Sequence, residues 1–137
     1  MSYDDLRSTI AKNNRPKLPD DLITAIAWRE SDFDPNVINA TTKAKGLLVV
    51  THWAIDDLQR IGQDYNGKDL RDPATNIQAG TAYLAMRLRA KHGNLAVMLD
   101  HYGTGAGYSA SILRAAEAIG ANRADPIGAL VRTIGKR

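Results

Sequence analysis

Apolar side chains recur at a helical period along nearly the whole chain, and the strict alternation expected of strands is scarce. Over about Tyr3–Asn13, Leu6 and Ile10 fall at i and i+4, and "NNRPKLP" then breaks the segment. A second helix is predicted from "LPDD", with Pro19 suited to its first turn and Asp20 and Asp21 placed to favour its dipole. It runs through "LITAIAW" to about Arg29–Ser31, where "DFDP" stops it because Pro35 cannot continue a helix. Residues 36–50 read as an irregular loop leading into "KGLLVV", the one credible extended piece. A helix on "HWAIDDLQRIG" and a loop on "QDYNGKDLRDP" follow. The longest helix is predicted from about Ala74 to Lys91, with Ile77, Thr81, Leu84 and Leu88 as its apolar stripe. A shorter helix on "NLAVMLDHY", the glycine loop "GTGAG", a helix on "YSASILRAAEAIG" closed by Gly120, and a terminal helix after Pro126 complete the pattern. No internal repeat or low-complexity linker interrupts it. The expectation is a single, mainly α domain over residues 1–137.

Composition narrows the classes without choosing among them. Apolar residues make up 44% and charged residues 24% of the chain, which argues for a packed globule and against disorder. The net charge of +3 suits an anionic polymer, nucleic acid or cell wall, yet the basic residues are scattered as on a solvated surface. A DNA-reading helix would need several Arg, Lys, Asn or Gln on one face, and the helix over 20–30 offers Arg29 alone, so no nucleic-acid partner is expected. The chain has no cysteine, and His52, His92 and His101 lack the spacing of a helical metal pair, so neither a metal nor another cofactor is expected. "GTGAG" follows no buried strand and precedes no GK[ST], which makes it a poor phosphate loop. The N-terminus lacks the apolar core of a secretory signal, and no run reaches the length of a membrane span.

One residue breaks the apolar pattern in an informative way. Ile23, Ile26, Ala27 and Glu30 fall at i, i+3, i+4 and i+7, which places a carboxylate on the inward face of the second helix. Burial and the negative end of the helix dipole both favour the protonated form of such a group, and Asp34, four residues on, would add repulsion in the same direction. A glutamate so placed can act as a general acid near neutral pH. From this helix alone, a solvent-facing glutamate or one paired with Arg29 or Arg87 is the simpler explanation of the position.

Three further stretches join it. "ESDFDP" resembles the E-S-x-F-x-P signature of lytic transglycosylase (SLT) domains of the goose-lysozyme-like superfamily. "AKGLLVVTHW" resembles their A-x-G-L-x-Q-x-T-x-x-x-W loop, "DPATNIQAGTAYLAMRL" their D-P-x-x-N-I-x-x-G-x-x-Y-L helix, and "YGTGAG" their Y-N-x-G-x-G segment. The four occur in the family's order and cover about Leu18–Tyr108. The resemblance implies a lysozyme-like fold with a short irregular or β-like loop region after the catalytic helix. It also implies a muramidase that cuts the MurNAc-β-1,4-GlcNAc bond of peptidoglycan glycan strands. Glu30 would be the catalytic acid and then base. Ser31, Asn39, Thr42, Gly46, Val49, Thr51 and Tyr102 fall at or near positions that meet substrate, with the Tyr102 hydroxyl directed at the carboxylate. Asn76 would cap its helix or tie down the site loop, and Gly80 would allow close helix packing.

Two departures bear on activity. Val49 stands where the family usually carries Gln, and Gly103 where it carries Asn. Thr51, His52, Asn39 or His101 would have to supply the missing polar contacts, or catalysis is weakened. No Asp or Glu lies between Pro35 and Trp53 to hold an attacking water, and a lone acid fits the transglycosylase route to a 1,6-anhydroMurNAc end. A hydrolytic lysozyme, as in a phage endolysin or a secreted antibacterial effector, and a catalytically impaired wall-binding module are the alternatives. The expected setting is the bacterial cell wall, reached by phage lysis, injection or a secretion system. A monomer is the default state, and a secreted toxic form would call for a cognate inhibitor or immunity protein.

Overall fold

A computed structural model of the protein describes residues 1–100, 102 and 107–135. Its elements are α1 (Tyr3–Asn13), α2 (Asp20–Ser31), α3 (His52–Arg60), α4 (Pro73–Ala90), α5 (Leu95–Asp100), α6 (Tyr108–Ala121) and α7 (Pro126–Thr133). Local chemistry sets several of the starts. Ser2, Thr51, Asp72 and Asp125 each accept a backbone N–H of the following first turn. Pro73 and Pro126 then occupy first-turn positions, where their missing N–H costs nothing.

The helix α2 is the axis of the molecule. Residues 22–28 are buried on every side of it, so the inward face expected from the sequence is in fact the whole circumference. Each fully buried isoleucine there, Ile23 and Ile26, contributes about 2 kcal/mol of apolar burial. The most extensive packing partner of α2 is α6, and the two run antiparallel. Tyr108 at the start of α6 meets Glu30 at the end of α2, while Arg123 just past α6 reaches Asp21 at the start of α2. Every described helix adds to the one apolar cluster that surrounds this pair.

The end of α2 falls where the sequence places it but has a different cause, and two other stretches depart from the sequence reading. Helix α2 ends before Pro35 can act, because Asp32 and Phe33 both take left-handed backbone at φ 51° and 64°. Phe33 is held there by Trp28 at 5.0 Å and Tyr3 at 6.4 Å between ring centroids, and burial in this aromatic group offsets its backbone cost. "KGLLVV" is a tight turn rather than a strand. Gly46 at φ 83° and Val49 at φ 50° reverse the chain, and Lys45 and Val50 pair across it by reciprocal backbone bonds of 3.0 and 2.9 Å. Gly120 lies inside α6, whose cap is Asn122, so that helix is not closed by a left-handed glycine.

Candidate functional site

The C-terminal turn of α2, the loop after it, the start of α3 and the middle of α4 enclose a cleft of about 320 Å³. Glu30 opens onto it, and among the described lining residues it is the one carboxylate. Its position follows from α2: with Ile26 and Ala27 locked in the core, the next turn brings Glu30 to the edge of that core, half-buried.

A tyrosine holds the carboxylate, but it is not the expected one. The Tyr108 hydroxyl donates to Glu30 Oε1 at 2.9 Å. The Tyr102 hydroxyl instead donates to the backbone carbonyl of Leu48 at 2.5 Å, although its ring also lines the cleft. Tyr102 therefore supports the loop, and Tyr108 takes the part assigned to it. Burial pushes both phenols well above the ordinary tyrosine range, and the Glu30 charge pushes in the same direction. Both stay protonated at neutral pH and well above it, so each remains a donor there. The Arg29 guanidinium lies 5.9 Å from the Tyr108 ring centre and packs that ring from the α2 side. In the sequence Tyr108 is marked only as the second tyrosine flanking the glycine loop; its burial against α2 belongs to the fold.

Asn39, Thr42, Val49 and Thr51 line the same cleft as Glu30 and Tyr102, so six of the eight expected site residues come together. Their polar atoms also shape the wall. Asn39 Oδ1 accepts the backbone N–H of Thr41 and of Thr42, both at 2.9 Å, and Thr42 Oγ1 accepts that of Ala44 at 3.2 Å. Thr51 Oγ1 caps α3 by accepting the Ala54 N–H at 3.1 Å. Ser31 and Gly46 are set elsewhere. The Ser31 hydroxyl is buried and donates to Ala27 O at 2.8 Å, inside its own helix. Gly46 faces α4 rather than the cleft: a Cβ there would fall 2.2 Å from Asn76 Nδ2 and 2.3 Å from Leu70 O. Gly103 and His101 lie outside the described residues.

The loop is pinned from below by Asn76, fully buried on α4. Its Oδ1 accepts the Leu48 N–H at 2.8 Å, and its Nδ2 donates to Lys45 O and Leu70 O, each at 2.8 Å. Gly80, one turn further along α4, brings the helix so close to Leu48 that a Cβ would sit 2.5 Å from Leu48 Cδ1. Val49 is thereby held at the cleft in a left-handed conformation that a β-branched residue rarely adopts. Trp53 and Tyr83 complete the aromatic lining, and neither was singled out as a site residue from the sequence. Among the described residues no three of His, Asp or Glu converge in a way that could hold a metal ion, and no helix is long and apolar enough to cross a membrane.

The sequence matches the Transglycosylase SLT domain family over residues 7–124. Among solved structures, the 70 kDa soluble lytic transglycosylase SLT70 from Escherichia coli is similar, with a TM-score of 0.60 and 26% sequence identity. That similarity covers 97% of this chain and 21% of SLT70, so the chain spans about a fifth of the larger protein's length. The mainly helical, lysozyme-like architecture implied by the sequence is the one found. With the match running from α1 to just beyond α6, the chain belongs to the transglycosylase SLT domain family.

Proposed function

We propose that the protein is a peptidoglycan lytic transglycosylase that cuts the MurNAc-β-1,4-GlcNAc bond with Glu30 as its single acid and base. One observation carries this reading: among its described lining residues the cleft presents one carboxylate, half-buried and held by a protonated tyrosine. Family membership and the likeness to a lytic transglycosylase support the same chemistry.

In this mechanism Glu30 gives its proton to the glycosidic oxygen as the C1–O bond breaks, and the GlcNAc side leaves as an alcohol. The substrate's own N-acetyl oxygen closes onto C1 and takes up the developing positive charge. Glu30, now ionised, removes the proton of the C6 hydroxyl. That oxygen then attacks C1, the N-acetyl group is released, and a 1,6-anhydro ring forms without water. Tyr108 donates to Glu30 Oε1, which helps to fix the orientation of the carboxyl group. Asn39, Thr42 and Thr51 offer polar contacts along the glycan, and Val49 an apolar one where an amide is usual for the family. The whole of residues 1–137 would work as one unit on the bacterial wall.

Mass spectrometry of purified peptidoglycan after incubation with wild type and with Glu30→Gln tests the proposal. Anhydro-muropeptides from wild type are expected, with the rate lowered on the order of a thousandfold in the variant. Reducing-end products would make the protein a lysozyme instead. No product from wild type would leave a wall-binding module.

A further inference from the structure

Trp53 is left open where most tryptophans are covered. It stands in the first turn of α3 on the lip of the cleft that Glu30 opens onto, and 55% of its surface is accessible. The ring also has an aromatic neighbour. The His52 imidazole packs against it with centroids 4.1 Å apart and planes inclined by 37°, and the Thr51 cap fixes the backbone beneath both. A flat, braced apolar surface beside a polar cleft matches the chemistry of a pyranose, whose ring carries apolar C–H faces and polar hydroxyl edges. An indole loses few rotamers when it binds, so the contact is made at low entropic cost.

We propose that Trp53, braced by His52, is a stacking subsite for one N-acetylated pyranose ring at the lip of the cleft. The subsite rests on the glycan-cleaving function proposed above, but it is tested by binding rather than by bond cleavage. Two tryptophans make the readout selective. Trp28 is buried and its indole N–H is bonded to Gly135 O at 2.9 Å, so a bound sugar at the lip alters the emission of Trp53.

The experiment titrates tetra-N-acetylchitotetraose into the Glu30→Gln protein, where no bond is cut, and into the same protein carrying Trp53→Phe or Trp53→Leu. Fluorescence and calorimetry are read together. A saturable emission change is expected with Trp53 present. Trp53→Phe removes that optical signal yet keeps the calorimetric affinity within about threefold, because a phenyl ring still stacks. Trp53→Leu, apolar but without a flat face, weakens binding about tenfold. An emission change that survives Trp53→Phe, a Trp53→Leu protein that binds as tightly as its parent, or a parent that binds no sugar would each overturn the subsite. Cleavage of peptidoglycan by the wild type, assayed in parallel, judges the enzymatic reading separately.

Discussion

At the scale of single residues, the cleft concentrates costs that the rest of the molecule sustains. Val49 keeps a left-handed backbone, worth about 1–2 kcal/mol for a residue with a Cβ, because the Lys45–Val50 pair and the Asn76 bonds close the turn around it. Tyr108 places a buried phenol against a carboxylate, an arrangement that stabilises the molecule as long as both partners are present. Removing the hydroxyl separates the orienting role from the packing role of the ring. Tyr108→Phe keeps the ring against α2 and loses the donor to Glu30, so kcat on peptidoglycan is expected to fall about tenfold or more while KM stays nearly constant. Far-UV circular dichroism should be unchanged. A variant with wild-type kcat would show that Glu30 is oriented by something else.

At the scale of elements, the site depends on how one irregular loop is fastened to α4. Asn76 satisfies one backbone N–H and two carbonyls at once, and Gly46 leaves room for its amide. Asn76→Ala would leave those three groups without their partner, and a loss of about 3 kcal/mol of stability is expected in urea unfolding. Asn76→Asp should cost a comparable amount, because it keeps the acceptor for Leu48 N but removes both donors. Equal stability of Asn76→Ala and wild type would mean that the loop is held by its own turn alone. This fastening shows why some elements could be read in advance and others not. The helices declare themselves through period and caps: Leu6 with Ile10, and Ile77 with Thr81 and Leu84, are buried as spaced. "KGLLVV" carries the composition of a strand, yet its conformation is decided by Asn76, a residue 28 positions from Leu48, and local propensity holds no trace of that bond. The same limit explains Tyr108. Its contact with Glu30 spans 78 positions and exists because α6 packs antiparallel on α2, which no local pattern specifies.

At the scale of the whole molecule, one acidic side chain gathers three parts of the chain. Asp21 in the first turn of α2 accepts Arg7 Nη1 of α1 at 2.7 Å and both terminal nitrogens of Arg123, past α6, at 2.9 and 3.0 Å. It thereby fixes the end of the α2–α6 pair opposite to Glu30, so that the antiparallel helices are tied at one end by charge and at the other by the Tyr108 bond. Burial works against the Asp21 charge, but the hydrogen bonds from Arg123 and Arg7 outweigh it and hold the carboxyl below its ordinary value of 3.8. A group whose pKa is depressed by folding contributes stability above the unfolded value, and the contribution is lost as pH falls through the folded one. Asp21→Asn should therefore melt at a lower temperature than wild type at neutral pH, and the difference should fade as acidification passes below the ordinary carboxylate value of 3.8 and through the lower folded one. Raising the salt concentration at neutral pH should narrow the gap only in part, since the Arg7 side of the cluster is mostly covered while Arg123 is open to solvent. A melting difference of equal size at neutral and acid pH would show that Asp21 acts through its shape and hydrogen-bonding capacity. The ion cluster would then have no part in setting how α6, and Tyr108 with it, lies along the helix that carries Glu30.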